Sequence, residues 1–211
     1  WEVAWTYTNG VWSNQINKGE KAEGDVVAKF YKTGNRITPD GFTWSDTGDV
    51  FAFEEGDEYR LVVEGNGPIG DLATAEGTNI TSAFGWMLQS VMYMKGATNT
   101  CIMPYVKELI ICDGITSIGN YAFCGASGLE KLSIANTVTN IGDFAFLYDV
   151  NLANINLPSK IENIGYAAFG DTKIQNITIP NGVKKISEGI FEDCYNLASI
   201  KFLPTDITGI D

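Results

Sequence analysis

Five acidic residues in the second half of the chain are the side chains most able to do chemistry, because two suitably spaced carboxylates can act as acid and base in glycoside cleavage. They are Asp143, Asp149, Asp171, Glu192 and Asp193. All five lie in segments between the predicted strands, and nothing in the pattern marks one as an acid or a base. We therefore expect solvated turn residues and no catalytic pair.

Other constellations that support catalysis or cofactor binding are absent from the sequence. The chain has no histidine, which excludes Ser-His-Asp and Cys-His systems and any metal site that depends on imidazole. The acidic residues Glu54, Glu55, Asp57 and Glu58 offer oxygen ligands for calcium but lack EF-hand spacing. The stretch GNGPIG at 65–70 is interpreted as a turn, since no helix pattern clearly follows it. We expect no enzyme, no cofactor and no metal.

The segments that hold the five carboxylates belong to a repeat of about 23 residues, whose starts are spaced 23, 23, 22 and 23 residues apart. The units read VKELIICDGITSIGNYAFCGASG (106–128), LEKLSIANTVTNIGDFAFLYDVN (129–151), LANINLPSKIENIGYAAFGDTK (152–173), IQNITIPNGVKKISEGIFEDCYN (174–196) and a partial LASIKFLPTDITGID (197–211). A unit this short cannot bury its own apolar face, so it must stack on its neighbours.

Each unit has the same apolar slots. In the second unit, Leu129, Leu132 and Ile134 predict a short half-buried strand, Gly142 allows a bend, and Phe146 closes the coil. The other units carry phenylalanine at the last of these slots, namely Phe123, Phe169 and Phe191. Stacked in register, the slots predict a continuous aliphatic core capped by a phenylalanine stack, with parallel strands about 4.8 Å apart.

The motifs SIGNYAF, NIGDFAF, NIGYAAF and KISEGIF resemble the BspA-type leucine-rich repeats of bacterial surface proteins, over about residues 104–211. The last motif departs from the pattern, with Ser187 in place of glycine and Ile190 in place of alanine. The commoner leucine-rich repeat has an Asn ladder after the strand, whereas this chain has Gly114, Thr137, Lys160 and Gly182. The resemblance implies a leucine-rich repeat solenoid, a right-handed coil of short parallel strands, and an extracellular or cell-surface location.

The chain divides into three parts by pattern: 1–56, 57–104 and the repeats at 105–211. Residues 1–56 hold four of the five tryptophans and alternate as in strands, which predicts a small antiparallel β unit. It is either an independent module or a cap on the first coil, and a length under about 60 residues favours the cap. In 57–104 we expect an opening strand at Tyr59–Gly65 and an irregular insertion at 66–104, with a short helix within 83–94.

Composition narrows the class of partner. The net charge is −12 with 19% charged residues, which argues against nucleic acid and against an anionic membrane surface. We attribute the acidity to solubility. No apolar stretch approaches about 20 residues, so no membrane insertion is expected.

The chain starts at Trp1 without methionine, which we interpret as a secreted form whose signal peptide is removed. We expect a monomer.

The four cysteines, Cys101, Cys112, Cys124 and Cys194, have no CxxC spacing, so a zinc site is not indicated. The repeat register places Cys112 and Cys124 on different faces of one coil, which disfavours a disulfide between them. Cys101 could meet either of them. We favour mostly free, partly buried thiols, with one disulfide as the alternative.

The predicted binding surface consists of strand positions that point away from the core. One column is Arg60, Glu108, Lys131, Asn154, Asn176 and Ser199, and the next is Val62, Ile110, Ser133, Asn156, Thr178 and Lys201. A third, more apolar column is Cys112, Ala135, Pro158, Pro180 and Leu203. The partner-binding prediction comprises the repeat residues of the first two columns: Glu108, Ile110, Lys131, Ser133, Asn154, Asn156, Asn176, Thr178, Ser199 and Lys201.

Extended repeat surfaces commonly bind proteins or glycans, so we predict an adhesin-like protein that recognises an extracellular macromolecule. Two alternatives remain open. One is a carbohydrate-binding module whose ring platform comprises Trp5, Tyr7, Trp12, Tyr31 and Trp44, although such residues more often form the core of a small β unit. The other is a structural spacer of a larger surface protein.

Overall fold

In a computed structural model, the chain is described at residues 3–8, 11–17, 26–32, 58–70, 106–203 and 209–210. These ranges contain fifteen strands: β1 Val3–Thr8, β2 Val11–Asn17, β3 Val26–Lys32, β4 Tyr59–Gly65, β5 Gly67–Ile69, β6 Val106–Ile111, β7 Ile115–Ile118, β8 Lys131–Ile134, β9 Asn140–Ile141, β10 Asn154–Ile155, β11 Asn163–Ile164, β12 Asn176–Ile179, β13 Lys185–Ile186, β14 Ser199–Phe202 and β15 Gly209–Ile210.

Each repeat contributes two strands, and equivalent strands of successive repeats pair in parallel except between the third and fourth repeats. A seven-stranded sheet has the order β10-β8-β6-β4-β3-β1-β2, and a four-stranded sheet has the order β11-β9-β7-β5. The fourth and fifth repeats continue both stacks as the pairs β12–β14 and β13–β15. The result is the predicted leucine-rich repeat solenoid.

The N-terminal strands belong to the same sheet as the repeats. Strands β2 and β3 pair with β1 antiparallel, β3 pairs with β4 antiparallel, and β4 pairs with β6 in parallel. This confirms an antiparallel β unit. Strand β3 covers the edge of β4 that would otherwise be open, and the choice between a cap and an independent module stays a prediction.

For the opening coil, the structure confirms one prediction and contradicts another. Strand β4 has the predicted bounds Tyr59–Gly65. The interpretation of 65–70 as a turn, and of 66–104 as irregular from its start, is wrong, because β5 pairs in parallel with β7. A three-residue strand with glycine and proline carries no alternation that sequence reasoning could detect. The helix predicted within 83–94 lies outside the described residues.

The core is continuous from the opening coil to the fourth repeat. It contains most apolar slots of the first four units, whereas Ile200 and Phe202 of the fifth unit are exposed. The predicted phenylalanine stack is confirmed. The ring centroids of Phe123 and Phe146 are 5.5 Å apart, those of Phe146 and Phe169 are 5.4 Å apart, and those of Phe169 and Phe191 are 6.1 Å apart, with planes within 15° of parallel. Each stacked pair contributes about 0.5–1.5 kcal/mol beyond the area that it buries.

The turns that carry the Ala-Phe pair have a hydrogen-bond ladder of their own. The backbone N–H groups of Tyr121, Phe123 and Gly125 donate to carbonyls of the next repeat, at 2.7–2.9 Å. Tyr121 and Gly125 have positive φ angles of 57° and 78°. Their equivalents in later repeats are also left-handed, namely Phe144, Tyr148, Ala167, Asp171, Gly189 and Asp193. The left-handed conformation thus recurs where an N–H group turns toward the next coil.

The glycine of the IG pair marks the closest approach between coils. A Cβ atom on Gly165 would lie 2.4 Å from the backbone nitrogen of Asp143, and one on Gly142 would lie 2.6 Å from that of Asn120. The side-chain Oδ1 atoms of Asn120 and Asp143 lie equally close. They accept hydrogen bonds from the backbone N–H groups of Asp143 and Tyr166, at 2.7 and 2.8 Å. This Asx ladder leaves no room for a side chain in place of the glycine.

The fourth repeat has Ser187 in place of the glycine of the IG pair, and the structure gives a physical reason. The Asx ladder ends at Tyr166, whose side chain offers no equivalent acceptor to the next coil. The Ser187 hydroxyl instead donates to the carbonyl of Ile164 at 2.8 Å. In the earlier coils the N–H groups of Gly142 and Gly165 donate to the equivalent carbonyls. A side chain is therefore accommodated in the coil that lacks the ladder beneath it.

Alanine should consequently be far less tolerated at Gly165 than at Ser187. Gly165→Ala forces a methyl group onto backbone atoms, and we expect the free energy of unfolding to fall by about 1–3 kcal/mol. Ser187→Ala adds no atom and loses one hydrogen bond, with an expected decrease of about 1 kcal/mol or less. Urea denaturation of both variants measures the difference. Equal losses would show that the glycine is not sterically required.

Candidate functional site

The strand register aligns the predicted columns. It places Arg60 beside Glu108, Glu108 beside Lys131, and Lys131 beside Asn154. In the second column it places Val62 beside Ile110 and Ile110 beside Ser133. In the last two repeats Asn176 pairs with Ser199 and Thr178 pairs with Lys201. Asn156 directly follows β10. The structure therefore aligns these residues across the first three repeats and, in a separate sheet, across the last two. Their role in binding stays a prediction.

Most of this surface is open to solvent. Of the ten repeat residues in the prediction, Glu108 and Ile110 are half-buried and the other eight are exposed. The buried members of the same strands alternate with them, as in β12, where Ile177 and Ile179 are buried while Asn176 and Thr178 are exposed. The alternation expected of a half-buried strand is thus present where the repeats are regular.

Ion pairs at the N-terminal side of this surface connect neighbouring strands. Arg60 Nε donates to Glu108 Oε2 at 2.5 Å, and Lys107 Nζ donates to Glu130 Oε1 at 3.1 Å. Lys29 pairs with Glu64 in the same way across β3 and β4. Within the described residues, the side chains of Lys131 and Lys201 make no such pair. The ammonium groups of Lys131 and Lys201 are therefore not held by a carboxylate of the described residues.

The prediction that the third column lies on the exposed surface is wrong. Pro158 and Pro180 are buried, Cys112 and Ala135 are half-buried, and of the five only Leu203 is exposed. The carbonyls of Pro158 and Pro180 accept hydrogen bonds from Ile161 and Val183, three residues on, at 3.1 and 3.2 Å. These prolines thus begin tight turns. Alternation between faces stops where the strand ends, so it cannot be extended to the turn residue.

The cysteines have the predicted free thiols at the three described positions. Cys112, Cys124 and Cys194 are free, with the last two buried. Cys101 lies outside the described residues. Burial, with a further contribution from the charge of Asp149, raises the pKa of Cys124 to about 12. A thiol so far from ionisation is a poor nucleophile at neutral pH.

Asp149 is not a solvated turn residue. It is completely buried, and its Oδ1 accepts a hydrogen bond from the Ala126 N–H at 2.7 Å. Its Oδ2 has no hydrogen-bond partner among the described residues. Burial raises its pKa well above the usual range, while backbone hydrogen bonds from Ala126 and Gly125 act in the opposite direction. The carboxyl group is therefore a core group, remote from any solvent-exposed reaction.

The slot of Asp149 recurs in every repeat. Ala126, Thr172 and Cys194 are its equivalents, and all are buried. Thr172 Oγ1 and Cys194 Sγ both donate to the carbonyl of Phe169, at 2.9 and 3.0 Å. The equivalence of position 149 with the apolar or weakly polar residues of the other repeats was the sequence signal for its burial.

The other four carboxylates of the glycosidase hypothesis lie in turns, and three of them have structural partners. Asp143 accepts from the Tyr166 N–H as part of the Asx ladder. Glu192 Oε2 accepts from the Tyr166 hydroxyl at 3.4 Å, and Asp193 Oδ1 accepts from the Tyr195 hydroxyl at 2.8 Å. Among the described residues, no group of three or more Cys, Asp or Glu could hold a metal ion.

The alternative site on the N-terminal aromatics stays a prediction. The backbone register pairs Tyr7 with Trp12 and Trp5 with Ala28. Tyr31 is half-buried. Trp1, Trp44 and the acidic residues Glu54, Glu55 and Asp57 lie outside the described residues.

The architecture defines the class of protein: stacked units with two parallel strands each and a shared apolar core form a leucine-rich repeat solenoid. A profile of the BspA type Leucine rich repeat region matches residues 103–211 in six copies. The chain belongs to this family. No curated protein sequence gives a significant match. Within the described part of the chain, no helix is long and apolar enough to cross a membrane.

One solved structure shares the fold. The crystal structure of a leucine-rich repeat protein from Eubacterium ventriosum aligns with 74% of this chain and 37% of its own, with TM-score 0.53 and 23% identity. This chain therefore spans little more than a third of that protein. The leucine-rich repeat protein of T. pallidum aligns over 80% and 81% at TM-score 0.43 and 19% identity, and one from Bacteroides ovatus over 84% and 53% at 0.42 and 20%.

The buried Asp149 should make the stability of the protein depend on pH. Because its pKa is raised by folding, the folded state binds this proton more tightly than the unfolded state. The contribution of the group to stability is complete below the unfolded pKa and falls as the pH rises from about 4 toward the folded value. Asp149→Asn removes this titration while its amide oxygen can still accept from Ala126.

We expect the free energy of unfolding of the Asp149→Asn variant, relative to the original chain, to rise as the pH increases from about 4 toward the folded-state pKa of Asp149, by at most about 1.4 kcal/mol per pH unit. Urea denaturation at a series of pH values measures this difference. Asp113→Asn, on an exposed turn, controls for the loss of one negative charge. A difference independent of pH would contradict the assignment of Asp149 as a buried acid.

Proposed function

We propose that this leucine-rich repeat protein is a non-enzymatic binding protein that recognises an extracellular macromolecule through the two strand columns. The observation that carries the proposal is the alignment of exposed polar side chains in register across consecutive repeats. A partner that spans several repeats can contact equivalent positions at regular spacing, so weak contacts add up over an extended surface.

The chemistry of the columns favours a protein partner. They combine amide, hydroxyl and ammonium groups, including Asn154, Asn156, Thr178 and Lys131. These groups can hydrogen-bond to the polar side chains and main chain of another protein. The columns contain no aromatic residue, and flat ring faces are what a sugar would stack on. A polysaccharide bound by the N-terminal aromatics remains the alternative.

We place the protein outside the cell or on its surface, as an adhesin-like module. This location is supported by its membership of the BspA-type family and by its resemblance to repeats of bacterial surface proteins. The acidic net charge of −12 is compatible with solubility in that setting. A spacer without a ligand of its own is the outcome if no binding is found.

The binding surface is tested by the double variant Lys131→Glu/Asn154→Arg, which changes two neighbouring positions of the first column. Biolayer interferometry of the 211-residue chain against matrix proteins, mucins and polysaccharides first identifies a ligand. For a protein ligand that uses this surface, we expect about tenfold weaker binding or more, because one contact is reversed in charge and another is enlarged. The control Lys160→Glu/Thr116→Arg makes the same charge change at exposed positions outside the columns.

Equal effects of the two double variants, or none from either, would reject the strand columns as the binding surface. A polysaccharide hit that shifts tryptophan fluorescence and survives Lys131→Glu/Asn154→Arg would move the function to the N-terminal aromatics. Circular dichroism of both variants checks that the fold is intact.

A further inference from the structure

A second surface lies along the turns that carry the Ala-Phe pair. We call this surface the AF-turn edge, and it comprises residues 119–128, 142–150, 165–172 and 187–196. It bears a continuous row of rings. Tyr121 stacks on Phe144 with centroids 4.7 Å apart, and Phe144 meets Tyr166 edge to face at 5.2 Å. Tyr166 is 37% exposed, Tyr148 46% and Tyr195 87%. Aromatic surface is thus available to a partner here and not on the strand columns.

Charge is segregated between the two surfaces. The AF-turn edge contains no lysine or arginine, although the exposed Lys173 directly follows its third segment and donates to Asn151 Oδ1 at 2.8 Å. The carboxylates of the edge that reach solvent are Asp143, Asp171, Glu188, Glu192 and Asp193. The strand columns, by contrast, include Lys131 and Lys201 as well as Glu108. The overall acidity of the chain therefore does not explain the edge, because cations are present elsewhere on the same repeats.

The carboxylates and rings of this edge lie next to each other. The hydroxyl of Tyr166 donates to Glu192 at 3.4 Å, and that of Tyr195 donates to Asp193 at 2.8 Å. The negative charge of Glu192, followed by burial and the charge of Glu188, raises the pKa of Tyr166. The hydrogen bond to Asp193 and its charge raise the pKa of Tyr195. Negative potential is thus concentrated where the exposed rings are.

We propose that the AF-turn edge binds an arginine- and lysine-rich segment of a partner protein. Ring faces attract cations through their quadrupole, and arginine stacks on rings as well as pairing with carboxylates. Both kinds of group converge at Tyr166 and Tyr195, while the bordering Lys173 donates to Asn151. A neutral glycan could use the rings, but it would not require the excess of carboxylates beside them. The proposal is independent of the strand columns, which occupy a different stretch of each repeat.

The test uses a fluorescein-labelled octa-arginine peptide and its octa-citrulline counterpart, which has nearly the same shape without the charge. Fluorescence anisotropy with the 211-residue chain should show binding of octa-arginine that weakens as salt rises from about 0.05 to 0.15 M, and at least about tenfold weaker binding of octa-citrulline. Equal affinity for the two peptides would overturn the proposal.

Matched variants distinguish binding at the AF-turn edge from attraction by the net negative charge of the whole chain. Glu188→Gln/Glu192→Gln/Asp193→Asn removes three charges from the AF-turn edge, and Glu58→Gln/Asp113→Asn/Glu162→Gln removes three exposed charges elsewhere. We expect about tenfold weaker octa-arginine binding for the first triple variant and less than about twofold for the second. Similar losses for both would show attraction by net charge alone and would overturn the proposal.

The contribution of the rings is tested by Tyr166→Leu, which keeps an apolar side chain but removes the ring. We expect about two- to fivefold weaker octa-arginine binding from loss of one cation–π contact. Hydrogen exchange of the unmodified chain should show protection by octa-arginine within 165–172 and 187–196. Protection elsewhere, an unchanged affinity of the Tyr166→Leu variant, or protection of these segments by a neutral oligosaccharide and not by octa-arginine would each contradict a cation-binding surface.

Discussion

The approach of successive coils at the IG glycine is the contact on which the rest of the solenoid depends. There is no room for a Cβ atom at Gly142 or Gly165, because the backbone and the Asx side chain of the preceding coil occupy that space. A contact this close fixes how one coil sits on the next. The strand columns, the phenylalanine stack and the AF-turn ladder then repeat at the same interval, as the many side-chain hydrogen bonds between residues 23 apart show.

The one short repeat illustrates the same constraint. The third unit has 22 residues, and comparison of the buried slots places its missing residue between Thr172 and Ile174. This lies away from the glycine contact, so the core continues across it. The strand pairing does not: β10 ends the seven-stranded sheet and β12 begins a new pair. A change of length is thus absorbed by the strand ladder, which tolerates a gap, and not by the packed contact.

The sequence predicts the parts of this structure that are set by regular burial. Four similar units determine the stacking, the core slots and the ring stack, and alternation predicts β4 to the residue. Errors occur where one of those regularities stops. Alternation does not apply to Pro158 and Pro180, which begin turns. A carboxylate looks solvated by type, yet Asp149 occupies a slot whose equivalents are alanine, threonine and cysteine. Strand β5 is too short and too rich in glycine and proline to have a pattern.

The surfaces are harder to predict because the repeat constrains them least. Tyr166 occupies the ladder position that holds Asn120 and Asp143 in the earlier coils, so the ring row shifts by one residue between the second and third repeats. The three rings therefore do not occupy one equivalent position of the repeat. Only the structure shows that Tyr121, Phe144 and Tyr166 are neighbours. The charge pattern was visible in advance, since the four AF-turn segments lack lysine and arginine. Without the rings beside it, however, that absence indicated nothing more than solubility. The carboxylates and the exposed rings indicate a binding surface only when they are considered together. A carboxylate in water binds a cation weakly, whereas a carboxylate beside an exposed ring gives the cation a second contact.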